Sequence, residues 1–310
     1  MYPLKFVSLY FEKIWGGRDL ARFDAFLPPG CIGERWDISC HPAGMSVVKN
    51  GAYAGYTLAQ LIAEKKGELA GSRVSAEVFP LLVKVINSRE KLSVQVHPGD
   101  DYALRVEKQL GKEEVWYVVD ARPGSTLTLG VKGDCTKDQL AAAIAEGRIE
   151  EKLNQVAVKK GDVYHIPCGM IHAIGPGVVL LEVQQTSDVT YRLFDYGRDR
   201  ELHIAKALEV LELHPPAGRR VSARRAKGCL ITRYCESSKM ILELVEITAG
   251  CGCASDPERF HIYTCVEGRG EIIYQKGRED IEPLESILIP ATLGPYEIRG
   301  PVKLLKAYVP

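Results

Sequence analysis

The chain has 310 residues, enough for one large or two moderate domains, and its 46% hydrophobic content is that of an ordinary globular protein. Its 40 basic and 40 acidic residues cancel to a formal net charge of zero. That balance gives no general attraction to DNA, RNA or an acidic membrane, although a few local cations can still hold a phosphorylated small molecule. No run approaches the roughly 18 consecutive apolar residues of a membrane span, and residues 1–11 lack the charged-then-apolar pattern of a secretory leader, so a cytoplasmic protein is expected. The nine cysteines are odd in number and scattered, and read as free thiols. Cys251 and Cys253 form a C-x-C pair, but two further ligands at matching spacing are missing, so no zinc role is expected there.

In chain order, a helix is predicted over 57–67, where Thr57 and Gln60 have the spacing of a capping box and Leu58, Leu61 and Ile62 share a face. Strands follow at 79–86 and 92–96. Residues 100–110 read as a helix stopped by Gly111. Strands are predicted at 115–119 and 126–129. The stretch 136–153 opens with Thr136 and Gln139 and reads as helical, divided into two short helices by Gly147. Further strands are expected at 163–166 and 178–183, and a helix at 203–213 ended by Pro215 and Pro216. A domain boundary is placed near residues 214–225, where two prolines meet a run of arginines. Beyond it the strands are 229–234, 240–247, 260–266, 271–274, 286–289 and 302–308.

Many short strands with Gly and Pro turns predict a mainly β protein built as a sandwich or closed barrel. The segment Gly161-Asp-Val-Tyr-His-Ile-Pro167-Cys168 has a faint echo in Leu284-Glu-Ser-Ile-Leu-Ile-Pro290-Ala291. We therefore expect two barrels: a catalytic one over 1–220 with helical segments, and a smaller one over 221–310. The second lacks the histidines of the first and is expected to be structural.

Three segments carry the chemistry. In Gln95-Val-His97-Pro98 the first and third residues project to one face of a strand, offering an oxygen and an imidazole. In Gly111-Lys-Glu-Glu114-Val-Trp-Tyr117 a turn leads into an apolar strand on which Glu114 and Trp116 share a face. The third segment, Gly161 to His172, fits G-x5-P-x-G-x2-H at every fixed position, the second of the two cupin sequence motifs, although Pro176 stands where an Asn is usual. Its glycines and proline make turns that deliver His172 inward at the start of a returning strand. Two imidazoles, a carboxylate and an amide oxygen suit zinc or another borderline divalent ion, with a position left for water or substrate. Taken singly, each residue is as well explained as a structural group; the ordered set is what points to a metal. His41, His165, His203, His214 and His261 are expected to be structural, with His165 facing the cavity mouth.

On these residues the sequence resembles the type I mannose-6-phosphate isomerases of the short bacterial form, members of the cupin superfamily. Further segments carrying the resemblance are Lys13-Ile-Trp15-Gly16-Gly17, Gly33-Glu34-Arg-Trp36, Leu92-Ser93-Val-Gln95, Gln184-Gln-Thr-Ser187-Asp188-Val-Thr-Tyr-Arg192 and Asp195-Tyr-Gly-Arg198. The resemblance implies a cupin/jelly-roll barrel and a zinc-dependent interconversion of mannose 6-phosphate and fructose 6-phosphate, with one Zn2+ per chain. It maps the metal ligands onto Gln95, His97, Glu114 and His172. It implies that Lys84, Ser93 and Lys112 lie by the substrate and its phosphate, and that Arg192 and Lys112 serve the chemical step. Arg35 and Asp37, where relatives often carry Ser and Glu, and Cys40 depart from the pattern and leave details of the rim open. Glu34 and Asp188 are both possible proton-transferring bases. Two other readings remain at this stage: a non-haem iron oxygenase, against which Gln95 fills a coordination position that oxygen chemistry needs, and a non-catalytic sugar-binding cupin.

Overall fold

A computed structural model describes residues 1–74, 78–213, 222–226 and 228–310. The first barrel is made of two facing sheets. One has six strands in the order Val163–Ile166, Glu114–Ala121, Val178–Gln185, Leu81–Ser88, Leu9–Gly17, Ile32–Ile38. The other has five, in the order Leu153–Ala157, Thr126–Val131, His172–Ile174, Val94–Val96, Tyr191–Phe194. Side chains from both, including Ile86, Trp116, Val118, Leu127, Leu129, Ile174 and Leu180, form one core between them.

The second barrel pairs a seven-stranded sheet, Leu4–Lys5, Ser286–Ile289, His261–Gly268, Val302–Tyr308, Ile241–Ile247, Cys229–Glu236, Ser222–Ala226, with a four-stranded one, Gly250–Ala254, Pro295–Arg299, Gly270–Tyr274, Gly277–Ile281. The N-terminal strand therefore crosses over to edge the second barrel's sheet, with Leu4 opposite Leu288. Of the boundary expected near 214–225, residues 214–221 lie outside the described residues, and Ser222–Ala226 is a strand of the second barrel.

The two barrels share a core. Val83, Val85, Val115, Tyr117, Val119, Val179, Leu181 and Val183 pack with Leu242, Leu244, Ile262, Leu305 and Ala307. The six-stranded sheet is thus covered on both faces, which is why its central strands read as continuous apolar runs rather than alternating ones. Along Glu114–Ala121, Trp116 and Val118 face the first barrel's interior while Val115, Tyr117 and Val119 face the second barrel.

The helices agree with the sequence in kind and differ in extent. Helix Leu58–Ala70 has its capping box, with Thr57 accepting from Gln60 N and the Gln60 side chain accepting from Thr57 N. It breaks at Lys66, with φ +33°, close to the expected end, and a further helical turn with Leu69 and Ala70 buried in the shared core continues to Gly71, which has φ +93°. The helix expected over 100–110 is shorter, Asp100–Val106, and Gly111 does not stop it. The chain leaves at Lys108, with φ +60°, and folds back over the helix start, where a Cβ on Gly111 would stand 2.6 Å from Asp100 N. The 136–153 stretch divides at Gly147 as expected, into helix Lys137–Ala145 and a 3-10 turn Ile149–Lys152, but Leu153 already begins a strand. The helix expected over 203–213 covers Ile204–Val210; Leu211 is extended and Glu212 N bonds Gly169 O at 2.9 Å. Several strands carry no clear apolar run and lie outside the predicted set, among them Gly250–Ala254, Gly277–Ile281 and Pro295–Arg299.

Candidate metal centre

Cross-strand register builds the site. Gln95 lies opposite His172 on one side and opposite Arg192 on the other, so strand Val94–Val96 and its two neighbours present all three side by side. Glu114 comes from the facing sheet, where Glu182 pairs with both Trp116 and Lys84. His97 follows the end of its strand, where its carbonyl accepts from Gly169 N at 2.8 Å.

The four residues expected as metal ligands converge. His97 and His172 place their Nε2 atoms 3.1 Å apart; His97 Nε2 is 3.3 Å from Glu114 Oε1, and His172 Nε2 is 3.9 Å from Glu114 Oε2. The Gln95 amide lies 3.3 Å from His172 Nε2, and half a turn about its last bond presents oxygen in place of nitrogen. Metal–donor lengths of roughly 2.0–2.1 Å in a tetrahedron put donors about 3.3 Å apart, which these spacings match. His97, Glu114 and His172 are the His/Cys/Asp/Glu group that could hold a metal ion among the described residues, with ligand atoms all within 4.8 Å of one another.

The tautomers support a cation. His97 Nδ1 is 2.9 Å from Val189 O and His172 Nδ1 is 2.8 Å from Met170 O. A carbonyl can only accept, so each Nδ1 carries the proton and each Nε2 turns a lone pair inward. Burial holds both imidazoles neutral; with Lys112 adding to it, His97 is pushed down to about 3. These two inward lone pairs, with the Glu114 carboxylate, make a cluster of donor atoms suited to a cation. Burial opposes ionisation of Glu114, but the Lys112 ammonium outweighs it and holds its carboxyl well below the usual range. Trp116 Nε1 donates to Glu114 Oε2 at 3.0 Å and to Glu182 Oε2 at 2.9 Å, fixing both carboxylates. Lys112 Nζ is 3.0 Å from His97 Nε2 and also bonds Glu114.

Next to this group opens a cavity of about 490 Å3, lined by Gln95 and Lys112, which touch His172 and His97. Its walls include Lys84, Ser93, Gln95, Lys112 and Arg192 from the sequence-predicted set, together with Glu34 and Asp188. Ser93 Oγ is 3.4 Å from Gln95 Oε1. Arg192 Nη1 donates to Glu201 O at 2.6 Å, while its Nε is buried without a partner. Lys84 is 2.9 Å from Glu182, and burial, set against Glu182 and Glu34, leaves its ammonium firmly charged. Glu34 accepts from Trp36 Nε1 at 2.8 Å and lies 3.4 Å from Lys13; burial opposes ionisation, but Lys84 and Lys13 hold its pKa below the ordinary value.

Sequence reasoning passed over Glu182, Lys13 and Arg200, which also line the cavity. Glu182 had a signal: a carboxylate inside an apolar strand whose two faces are both covered needs a buried partner, and Lys84 in 79–86 is the matching oddity. His165 does not face the cavity mouth. It pairs with Val115 in the strand register and bonds Glu113 at 3.1 Å, on the side of the second barrel. His41 Nδ1 accepts from Ala43 N and His203 Nδ1 from Arg192 N, while His261 belongs to the second barrel; His214 lies outside the described residues. Arg35 and Asp37 form an ion pair at 2.8 Å, joined by Asp24, that also touches Leu284 O, so these departures tie the barrels together and leave the rim alone. Cys251 Sγ lies 2.9 Å from Cys229 Sγ, and all nine cysteines are free thiols.

With that geometry in place, the chain can be compared with known proteins. Residues 4–146 match the family model "Phosphomannose isomerase type I, catalytic domain", and residues 232–309 match "Mannose-6-phosphate isomerase, cupin domain". The chain is 36% identical over 309 residues to "Mannose-6-phosphate isomerase ManA" of Bacillus subtilis, covering 96% of each. It is 36% identical over 313 residues to "Mannose-6-phosphate isomerase" of Streptococcus mutans, covering 99% of this chain and 98% of the relative. The crystal structure of the mannose 6-phosphate isomerase from Bacillus subtilis superimposes with a TM-score of 0.93 at 34% identity over the whole of both chains.

Proposed function

The chain belongs to the type I phosphomannose isomerase family, and we propose that it interconverts mannose 6-phosphate and fructose 6-phosphate using one Zn2+ held by Gln95, His97, Glu114 and His172. The observation that carries the reading is the inward convergence of two neutral imidazoles and an ionised carboxylate directly behind Gln95 and Lys112, which line a cavity that also carries Lys84, Arg192 and Arg200. The donor set fits a borderline divalent ion and leaves room for substrate oxygen. When bound, the ion supplies Lewis-acid stabilisation for the negative charge that develops on the two sugar oxygens.

The chain's own residues do the rest. Isomerisation moves a proton between C1 and C2 of an open-chain sugar, through an enediol(ate). Lys112 and Arg192 stand on the cavity wall as fixed positive charges for that developing anion, and Lys84, Ser93 and Lys112 are the groups we assign to the substrate's hydroxyls and phosphate. For the proton carrier we assign Glu182 ahead of Glu34 and Asp188. Glu182 lines the cavity, shares the Trp116 indole N–H with Glu114 and lies 2.9 Å from Lys84, and burial raises its carboxyl above the usual range. Glu34 is held ionised by Lys84 and Lys13, and the Asp188 side chain is 49% exposed.

The test is a coupled assay for fructose 6-phosphate formed from mannose 6-phosphate, on wild type and His172→Ala, with chelator and with added zinc. Metal-dependent turnover that is lost in the variant is the expected result. No turnover in folded, metal-loaded wild type would sink the assignment and return weight to a sugar-binding cupin.

A further inference from the structure

The turn between strands Cys229–Glu236 and Ile241–Ile247 belongs to the second barrel, yet through Asp100 it reaches the segment that carries Lys112 and leads into Glu114. That segment, residues 107–113, is neither helix nor strand and must be held by side chains. Asp100 does much of the holding. Its Oδ1 accepts from Gly111 N at 2.7 Å and from Gln185 Nε2 at 2.9 Å, and its Oδ2 accepts from Lys239 Nζ at 2.6 Å. Gln185 passes the restraint on: its Oε1 accepts from Glu113 N at 3.1 Å, and its own N–H donates to Glu113 O at 3.1 Å. Lys112 N donates to Pro98 O at 3.1 Å, so three consecutive amides are fixed.

We propose that Lys239 is a positioning residue for the isomerase reaction proposed above: through Asp100 it holds segment 111–113, and so the Lys112 ammonium, in register with the cavity wall. The second barrel thereby serves catalysis as well as the shared core. Lys112 Nζ stands 3.0 Å from His97 Nε2 with its side chain almost wholly buried, so a small shift of its backbone moves a charge at the reacting end of the cavity. Gly111 has no slack, since a Cβ there would meet the backbone of residues 98–100 within 3 Å. The Lys239 side chain is 37% exposed, which limits the effect of its loss to a modest factor and lets it be replaced without opening a core.

The experiment compares the full-length, zinc-loaded wild type with Lys239→Met and Lys239→Arg, reading kcat, KM, bound metal and amide hydrogen exchange over residues 109–114. Lys239→Met should lower kcat about three- to tenfold while KM moves less than about twofold and metal content stays unchanged. Exchange at Gly111 and Glu113 should speed up by a similar factor, and Lys239→Arg should recover most of both. Asp100→Asn combined with Lys239→Met should be no slower than Asp100→Asn alone. Unchanged exchange, or faster exchange with unchanged kcat, overturns the proposal, as does a loss that appears only as a lower folded fraction. The exchange arm needs no substrate, so it decides whether Lys239 holds the segment even if wild type fails to turn over mannose 6-phosphate.

Discussion

Replacing Glu114 by Gln keeps the shape of the side chain and removes its charge at a position that is fully buried. Two consequences follow from the surroundings. A four-donor zinc site is worth about 10–16 kcal/mol in small zinc-binding peptides, or about 2.5–4 kcal/mol for each donor, so losing the one anionic donor should weaken metal binding about 10²–10³-fold. The second effect appears in metal-free protein. Lys112 is 5% exposed and pairs with Glu114; without the carboxylate its ammonium is left buried beside His97, at a cost of about 3 kcal/mol. Trp116 Nε1 keeps its bond to Glu182, so the indole itself should stay in place. Competition against a chromogenic chelator measures the first effect, and urea unfolding of chelator-treated wild type and variant measures the second. A variant that binds one equivalent of zinc as tightly as wild type would remove Glu114 from the ligand set. Equal urea midpoints in metal-free protein would show that Lys112 does not depend on Glu114 for its burial.

Three further outcomes are expected. Glu182→Gln should lower kcat about 10²–10⁴-fold with zinc still bound at one equivalent, the loss typical of a removed proton carrier; near-normal kcat would pass that role to Glu34 or Asp188. His261, in the second barrel, is pushed down to about 3 by burial, with Lys306 and Arg259 adding to it. As the pH falls through about 6.5 the unfolded chain takes up a proton that the folded one refuses, so its contribution is complete above that pH and lost as the pH drops toward 3. Urea unfolding should therefore show a loss of about 2 kcal/mol between pH 6.5 and 5 that His261→Gln reduces; an identical pH slope in the variant would refute this. Gly71→Ala should destabilise by several kcal/mol, because φ is +93° and the new Cβ would lie 2.3 Å from the Arg259 backbone, where the first helix meets the second barrel; an unaltered melting temperature would count against that contact.

Much of this protein was legible from the chain. The capping boxes at Thr57 and Thr136 are local hydrogen-bond patterns and need no distant partner, so both helix starts were visible. The Gln95-x-His97 spacing and the Gly-Pro-Gly-His172 turn are equally local: strand alternation and turn chemistry fix which way those side chains project. Strands covered on both faces announced themselves as apolar runs.

Tertiary structure decided what depends on residues far apart. Glu182 gained meaning from Lys84 and Trp116 on the strands either side of it, and no spacing in the sequence foretells that register. His165 turned to the far face because strand Val163–Ile166 pairs with Glu114–Ala121, placing it beside Glu113. Gly111 read as a helix stop, yet its true constraint is the close approach of the returning chain to the start of the same helix. The strand at Leu4–Lys5 joins a sheet whose other members lie more than two hundred residues on. The sequence by itself determined the donor atoms and their local aim, because backbone periodicity is a property of neighbours. Only the folded sheets decided which donors share a cavity, which charges they must neutralise, and that the second barrel reaches the segment bearing Lys112.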